Sequence, residues 1–527
     1  MSAFSSAAVA LDTPKDDATF EGIEQTNSSD RAQAYPDVGE AAGLGVGPQD
    51  SLRLLTCGSV DDGKSTLIGR LLWDASDLHE DQRAQLLAGN VTADGQPDFS
   101  RLVDGLAAER EQGITIDIAW RFFDTEARRY VIIDSPGHEQ YTRNMASGAS
   151  HADVAILLTD ARHGIKRQTR RHAAILDLMG VRRVILAVNK MDLVDYAEDR
   201  YRHIENDFKA LVARFGFDDA AAIPVAALGG DNVAARSDKM DWYRGPTLIE
   251  RLNAAPARVS NDEGPFRFPV QSVLWDRKDF RGLAGTVSSG RVAVGDEVFD
   301  ALSERSAKVK RIATMDGDLE IARKGHAVAL ELDTDLDIAR GAVLSGRETK
   351  ARPATRFNAR LVWLSEEPYD LSSKYLLRTA TDLVAIEQFD VQALLDLETL
   401  ASGPSDYACS MNDIALAEIK LSRPTVVDRF ADQTGVGTFM IVDALTGASV
   451  AGGTIAEING DVLVDDIDAN SGQRDALQLV LDEALLRSGL CADLGDSSDD
   501  RHELERRARE VAKILTAAGA AYSYRIG

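Results

Sequence analysis

The chain has 527 residues, with 85 Asp and Glu against 59 Lys and Arg and a formal charge of −26. One hydrophobic core does not extend over such a length, and no apolar run approaches the about 18 residues a membrane span needs, so several domains and no membrane partner are expected. Its cysteines, Cys57, Cys409 and Cys491, lie too far apart for a disulfide framework or a zinc cluster and fit a reducing cytoplasm.

Residues 1–50 are rich in Ser, Ala, Asp and Glu and poor in large apolar side chains, which predicts a disordered tail. They have neither the basic start nor the continuous apolar core of a secretory signal. The apolar run LRLLTC at 52–57 then predicts a buried strand leading directly into GSVDDGKS at 58–65. Gly58 and Gly63 permit backbone angles that gather successive N–H groups around an anion, and a helix starting near Lys64 aims its positive end at the same point. The expected cradle runs through Gly58, Ser59, Val60, Asp61, Asp62, Gly63, Lys64, Ser65 and Thr66. In it Lys64 supplies charge to the outer phosphates and Ser65 a hydroxyl to Mg2+.

GITID follows at 113–117. A second strand-like run, YVII at 130–133, delivers DSPGH at 134–138: Asp134, Ser135, Pro136, Gly137 and His138. Asp134 is expected at the carboxyl end of a sheet strand, where ligands of open α/β sheets collect and a carboxylate can hold the Mg2+ hydration shell. Gly137 can present its N–H to a terminal phosphate, and His138 stands where an imidazole would orient an attacking water. A third run, VILAV at 184–188, delivers Asn189, Lys190, Met191 and Asp192. An ionised Asp192 accepts from the ring N–H and exocyclic amine of guanine. Adenine would leave it unpaired, a mismatch that discriminates by roughly 10⁴-fold. GTP, not ATP, is therefore the expected nucleotide. Residues 225–228 (VAAL) would complete the base pocket through backbone N–H groups of Ala226, Ala227 and Leu228, although GTPases usually carry Ser where this chain has Ala226.

After Pro256 the pattern changes to short alternating segments broken by Gly and Asp, such as FRFPVQSVLW, GLAGTVSSGRV and KVKRIATMDG. This predicts a small β-barrel over 264–350. RFNARLVWL, DIALAEIKL and GTFMIVDAL predict a second one over 352–456. The expected architecture is an α/β P-loop domain over 51–256, with a doubly wound, mostly parallel sheet, then two small barrels and a helical tail over 457–527.

The stretch EREQGITIDIAWRFFD at 109–124, then DSPGHEQYTRNM and QTRRH at 168–172, resembles the translation-factor GTPases. With LGGDNV at 228–233 and MDWYRGPTLIERL at 240–252, it looks most like the large, GTP-hydrolysing subunits of bacterial sulfate adenylyltransferase. The resemblance covers roughly residues 52–455. It implies that Thr115 closes on Mg2+ when GTP is bound and that His138 orients the attacking water. It also implies that adenylyl transfer to sulfate occurs on a separate small subunit of ATP-pyrophosphatase type, with neither nucleic acid nor membrane as partner. Residues 487–520 resemble an internal segment of adenylylsulfate kinase, with Cys491, Asp496 and Leu504 as departures. No second GxxxxGKS lies between Ile455 and Arg487, so the tail reads as a degenerate, inactive remnant. The alternative is a ribosome-associated translation factor, against which the negative charge argues only weakly.

Overall fold

The computed structural model describes residues 51–75, 99, 115, 117–125, 127–256, 264–276, 280–404 and 408–459, and two short strands at 479–482 and 522–525. The expected N-terminal disordered tail lies outside the described residues, as does most of the GITID segment apart from Thr115 and Asp117.

The first unit alternates strands and helices: β1 (Ser51–Gly58), α1 (Lys64–Ala75), β2 (Ala119–Asp124), β3 (Arg129–Asp134), α2 (Thr142–His151), β4 (Val154–Asp160), α3 (Arg167–Leu178), β5 (Arg183–Asn189), α4 (Glu198–Val212), β6 (Asp219–Pro224) and α5 (Leu248–Ala254). The sheet order is β2-β3-β1-β4-β5-β6. β2 runs antiparallel to β3, and every other neighbour is parallel. Parallel strands are covered on both faces, which is why β4 (VAILLTD) is buried along its whole length. Alternate residues feed opposite layers. Leu52, Leu54, Ile156 and Leu158 pack with α1 and α5, while Leu55, Cys57, Ile133 and Leu157 pack with α2, α3 and α4. Because β1, β3, β4, β5 and β6 run the same way, the loops after Gly58, Asp134, Asp160, Asn189 and Pro224 all open on one edge.

Two closed barrels follow. In the first, strands Glu297–Asp300, Val343–Gly346, Arg267–Asp276, Phe280–Thr286, Ala327–Leu332 and Arg305–Thr314 pair in that order, and the last returns to the first. In the second, the order is Tyr375–Arg378, Thr438–Asp443, Ser449–Ile458, Pro353–Trp363, Ile414–Val426 and Leu383–Leu395, again closing on itself. Arg267, buried in the first barrel, joins the two through Asp428 at 2.7 and 3.2 Å.

The tail departs from the expected helix where it is described. Leu479–Asp482 and Tyr522–Arg525 are strands paired in parallel. Leu, Val and Tyr at these positions suit extended backbone, and the parallel pairing turns on a long crossover between distant segments. Short apolar runs of this kind carry no helical period of their own, and the helical reading of the tail extends over them. The rest of the expected helix lies outside the described residues.

Candidate functional site

The loop after β1 curls through two left-handed residues, Asp61 (φ 66°) and Gly63 (φ 94°). Asp62 is buried and braces the turn. Its carboxylate accepts from the Ser59 N–H at 2.9 Å and pairs with Lys166 Nζ at 3.1 Å. Lys64 is buried and donates to the carbonyls of Gly58 (3.0 Å) and Ser59 (3.1 Å). Burial pulls its ammonium below the ordinary lysine range, with Asp134 and Asp62 drawing it partly back. The Ser59 hydroxyl oxygen is buried with no hydrogen-bond partner among the described residues, and Ser65 and Thr66 are half-buried at the start of α1.

Opposite this loop, the end of β3 places Asp134 beside Thr56, whose Oγ1 donates to it at 3.2 Å. Ser135 ties the strand back to β1 through Oγ to the Thr56 carbonyl at 2.7 Å. Pro136 and Gly137 are buried. Gly137 lies so close to the first loop that a Cβ there would collide with Lys64 Nζ and stand 2.6 Å from the Gly58 carbonyl oxygen. His138 is exposed, and its Nδ1 accepts the Gln140 N–H at 3.3 Å, capping a short 3₁₀ turn, Glu139–Tyr141.

Asn189, buried at the end of β5, ties two loops together. Its Nδ2 donates to the Asp62 carbonyl at 2.8 Å, and its Oδ1 accepts the Ala227 N–H at 3.0 Å. The third loop is thereby fixed to the first and to the segment after β6. Lys190 takes a left-handed φ of 63°, donates to the Asp61 carbonyl and pairs with buried Asp160 at 3.2 Å. Burial acts to raise the Asp160 carboxyl, yet hydrogen bonds from Arg162 and Lys190 hold it well below the usual carboxylate range. Met191 is buried with its N–H on the Val225 carbonyl. Asp192 is half-buried near the Arg162 charge, and its carboxylate makes no side-chain hydrogen bond to a described residue, so its oxygens are open to a donor. Ala226 is held by the LGGDNV loop, its carbonyl accepting from Gly230 at 2.8 Å, and Leu228 lends its carbonyl to Arg70 at 3.3 Å. Thr115 is half-buried outside regular secondary structure, and its neighbours at 111–114 and 116 lie outside the described residues.

Residues 49–303 match the family of the elongation factor Tu GTP binding domain, 356–456 the GTP-eEF1A C-terminal domain-like family, and 440–523 the adenylylsulphate kinase family. The chain is 44% identical over 412 residues to sulfate adenylyltransferase subunit 1 of Cellvibrio japonicus (strain Ueda107), covering 78% of this chain and 87% of that protein. It is 42% identical over 509 residues to the bifunctional enzyme NodQ of Rhizobium sp. (strain N33), covering 89% of this chain and 79% of that protein. The chain belongs to the sulfate adenylyltransferase subunit 1 and NodQ family.

Within this family's shared chain, the kinase match overlaps the second barrel. Its glycine-rich stretch, GASVAGGT at 447–454, carries no lysine and contributes to strand Ser449–Ile458, which pairs with Pro353–Trp363 on one side and Thr438–Asp443 on the other. It is barrel, not phosphate cradle.

The structure also adds residues that the sequence reading did not assign. Gln168, Arg171 and His172 on α3 are all buried behind Lys64, with Gln168 Nε2 and His172 Nε2 at 2.9 Å and Arg171 donating to Gln168 Oε1 at 2.6 Å. Burial, then the charges of Lys64 and Arg171, push His172 down to about 3. QTRRH was visible as a motif, but nothing in it signals burial. Asn412 of the second barrel, which donates to the Glu139 carbonyl at 3.0 Å, carried no signal at all.

Proposed function

We propose that this chain is the GTP-hydrolysing subunit of a cytoplasmic sulfate adenylyltransferase. It couples GTP hydrolysis to formation of adenylylsulfate and pyrophosphate from ATP and sulfate, with adenylyl transfer on a separate small subunit of ATP-pyrophosphatase type. The observation that carries the reading is the Asn189 clamp, which fixes the glycine loop and the segment after β6 around one sheet edge, with the Asp192 carboxylate open beside them. The family's members named sulfate adenylyltransferase subunit 1 favour this over a ribosome-directed factor.

The residues fit a nucleotide triphosphate. The N–H groups between Gly58 and Thr66, with the Ser59 hydroxyl, which has no partner among the described residues, form the phosphate cradle. Lys64, now satisfied by two loop carbonyls, exchanges these for outer phosphate oxygens. The Ser65 hydroxyl, the Asp134 carboxylate and the Thr115 hydroxyl are oxygen donors of the kind that would hold Mg2+. When bound, it neutralises charge on the transferring group. Gly137 senses the terminal phosphate through its N–H, and His138 orients the attacking water. Asp192 reads guanine, with Lys190, Met191, Ala226, Ala227 and Leu228 shaping the base pocket around it.

Formation of a phosphoric–sulfuric anhydride is strongly uphill, so product accumulates only if nucleotide hydrolysis is tied to it. GTP orders the segments around Thr115 and Gly137, and hydrolysis releases them. The kinase-like tail supplies no second phosphate cradle and is catalytically silent. The test measures adenylylsulfate formation from ATP and sulfate, with GTP hydrolysis followed in parallel, for the chain alone and with the small subunit. The expected outcome is product only from the pair, a yield raised by GTP and a turnover of GTP stimulated by the partner. GTP hydrolysis with no partner effect and no adenylylsulfate defeats the reading.

A further inference from the structure

The 3₁₀ turn that begins immediately after His138 is held from outside its own domain. The Glu139 carbonyl accepts the Thr142 N–H and Thr142 Oγ1 (2.7 Å) from its own domain and Asn412 Nδ2 at 3.0 Å from the second barrel. Its carboxylate takes Arg171 at 2.9 Å, and that guanidinium is itself buried against Gln168. By contrast, the His138 ring is exposed, and among the described residues it has only the long 3.3 Å hydrogen bond from the Gln140 N–H and a tilted ring contact with Tyr141 at 6.1 Å. The fixed point of the segment is therefore Glu139, and the position of His138 follows from it.

The mount on the barrel side is rigid. Asn412 is 5% exposed, sits at φ 72° and donates its N–H to the Trp363 carbonyl at 2.8 Å, while the Trp363 N–H returns to the Asp413 carbonyl at 2.9 Å. Trp363 fills the second barrel's core. Its neighbour Val362, with Ile414, instead packs into the core of the GTPase unit alongside Leu157 and Ile175. The amide that reaches Glu139 thus stands at the end of an antiparallel strand pair gripped by two hydrophobic cores at once.

We infer that Asn412 is a positioning residue for GTP hydrolysis: through Glu139 it sets where His138 stands, so the second barrel governs the hydrolytic step and not nucleotide binding. This rests on the assignment of His138 as the water-orienting residue. No described hydrogen bond links Asn412 to the glycine loop or to Asp192, so nucleotide affinity has no reason to change when it is altered. A displacement on the order of 1 Å in a positioning group costs up to about 10²-fold in rate, so loss of the cross-domain anchor alone is expected to cost roughly tenfold.

Two variants of the full chain separate the hydrogen bond from the fold. Asn412→Asp is nearly isosteric but cannot donate, and Asn412→Gly suits the left-handed backbone while removing the amide. Single-turnover GTP hydrolysis, GTP affinity and thermal melting are measured for both, for His138→Ala, and for His138→Ala combined with Asn412→Gly. Hydrolysis is expected to slow roughly tenfold in both Asn412 variants with affinity within about twofold, and the double variant to be no slower than His138→Ala alone. Wild-type turnover in the Asn412 variants, or a full multiplicative loss in the double variant, overturns the inference while the role of His138 stands. Unchanged turnover in His138→Ala removes the histidine's role and this inference together.

Discussion

Asn189 illustrates how much a single side chain organises here. One amide spans two loops separated widely in sequence, its donor on the Asp62 carbonyl and its acceptor on the Ala227 N–H. Buried polar groups of this kind are costly unless fully paired, and pairing both ends makes the geometry stiff. His172 shows the opposite case. It is fully buried and neutral, with Nδ1 lacking a partner among the described residues. Its pKa of about 3, against an ordinary 6.5, means the unfolded chain binds a proton that the folded chain refuses. Folding stability is therefore unaffected by this group above pH 6.5 and is lost progressively as pH falls from there towards about 3. Chemical denaturation at pH 7 and pH 5 checks this. The acid-induced loss should be smaller in His172→Gln than in the wild type by on the order of 2 kcal/mol at pH 5. Equal losses would show that His172 protonates freely in the fold. The residues that the proposed function gives to nucleotide were assigned from motifs, most of which follow a strand. His172 and Asn412 were not, because one lies on a helix buried on several faces and the other acts through a contact between two domains. A helix covered on several sides loses the one-faced apolar stripe that a sequence reveals.

Elements carry the next level of constraint. The apolar runs at 52–57, 130–133 and 184–188 appear as β1, β3 and β5, each extended by a residue or so at its ends. Continuous apolar text of this length between turn residues is what a parallel strand covered on both faces requires, so the central sheet was readable. The tail was not: the described strands Leu479–Asp482 and Tyr522–Arg525 owe their pairing to contacts between distant segments, which local helical periodicity does not encode. The motifs imply that the loops after β3 and β1 meet at a phosphate, but how tightly they pack depends on strand order and was not legible. The close packing has a direct consequence at Gly137, where any Cβ meets Lys64 Nζ and the Gly58 carbonyl. Gly137→Ala must displace one loop from the other. Because the lysine and the cradle belong to the loop after β1, guanine nucleotide should still bind, while hydrolysis should fall by at least roughly tenfold as His138 moves with its loop. Nucleotide affinity and single-turnover rates measured on the same preparation decide the matter, and an unaltered rate would mean that the two loops separate freely.

At the scale of the whole molecule, the GTPase unit and the second barrel share more than a surface contact. Val362 and Ile414 of the barrel belong to the same buried cluster as Leu157, Ile175 and Phe208 of the α/β unit. Asp177 at the end of α3 is buried and receives Arg360 from the barrel at 2.7 Å, together with the Gly216 N–H at 2.9 Å. Gly180 faces Phe430 so closely that a Cβ would stand 2.6 Å from the ring. A contact built from a continuous apolar core and a buried charge behaves as the interior of one body, whereas more polar interdomain surfaces permit motion by default. The two units should therefore unfold in a single cooperative transition, followed by fluorescence and far-ultraviolet circular dichroism together. Arg360→Ala leaves Asp177 with Arg182 at 3.5 Å and the Gly216 amide as partners. Arg360 is partly exposed, so the loss should be about 1–2 kcal/mol, below that of a fully buried pair, with the transition still single. Two resolved transitions in the wild type would mean that the shared core does not bind the units together. The second barrel could then not serve as the fixed mount from which Asn412 places Glu139.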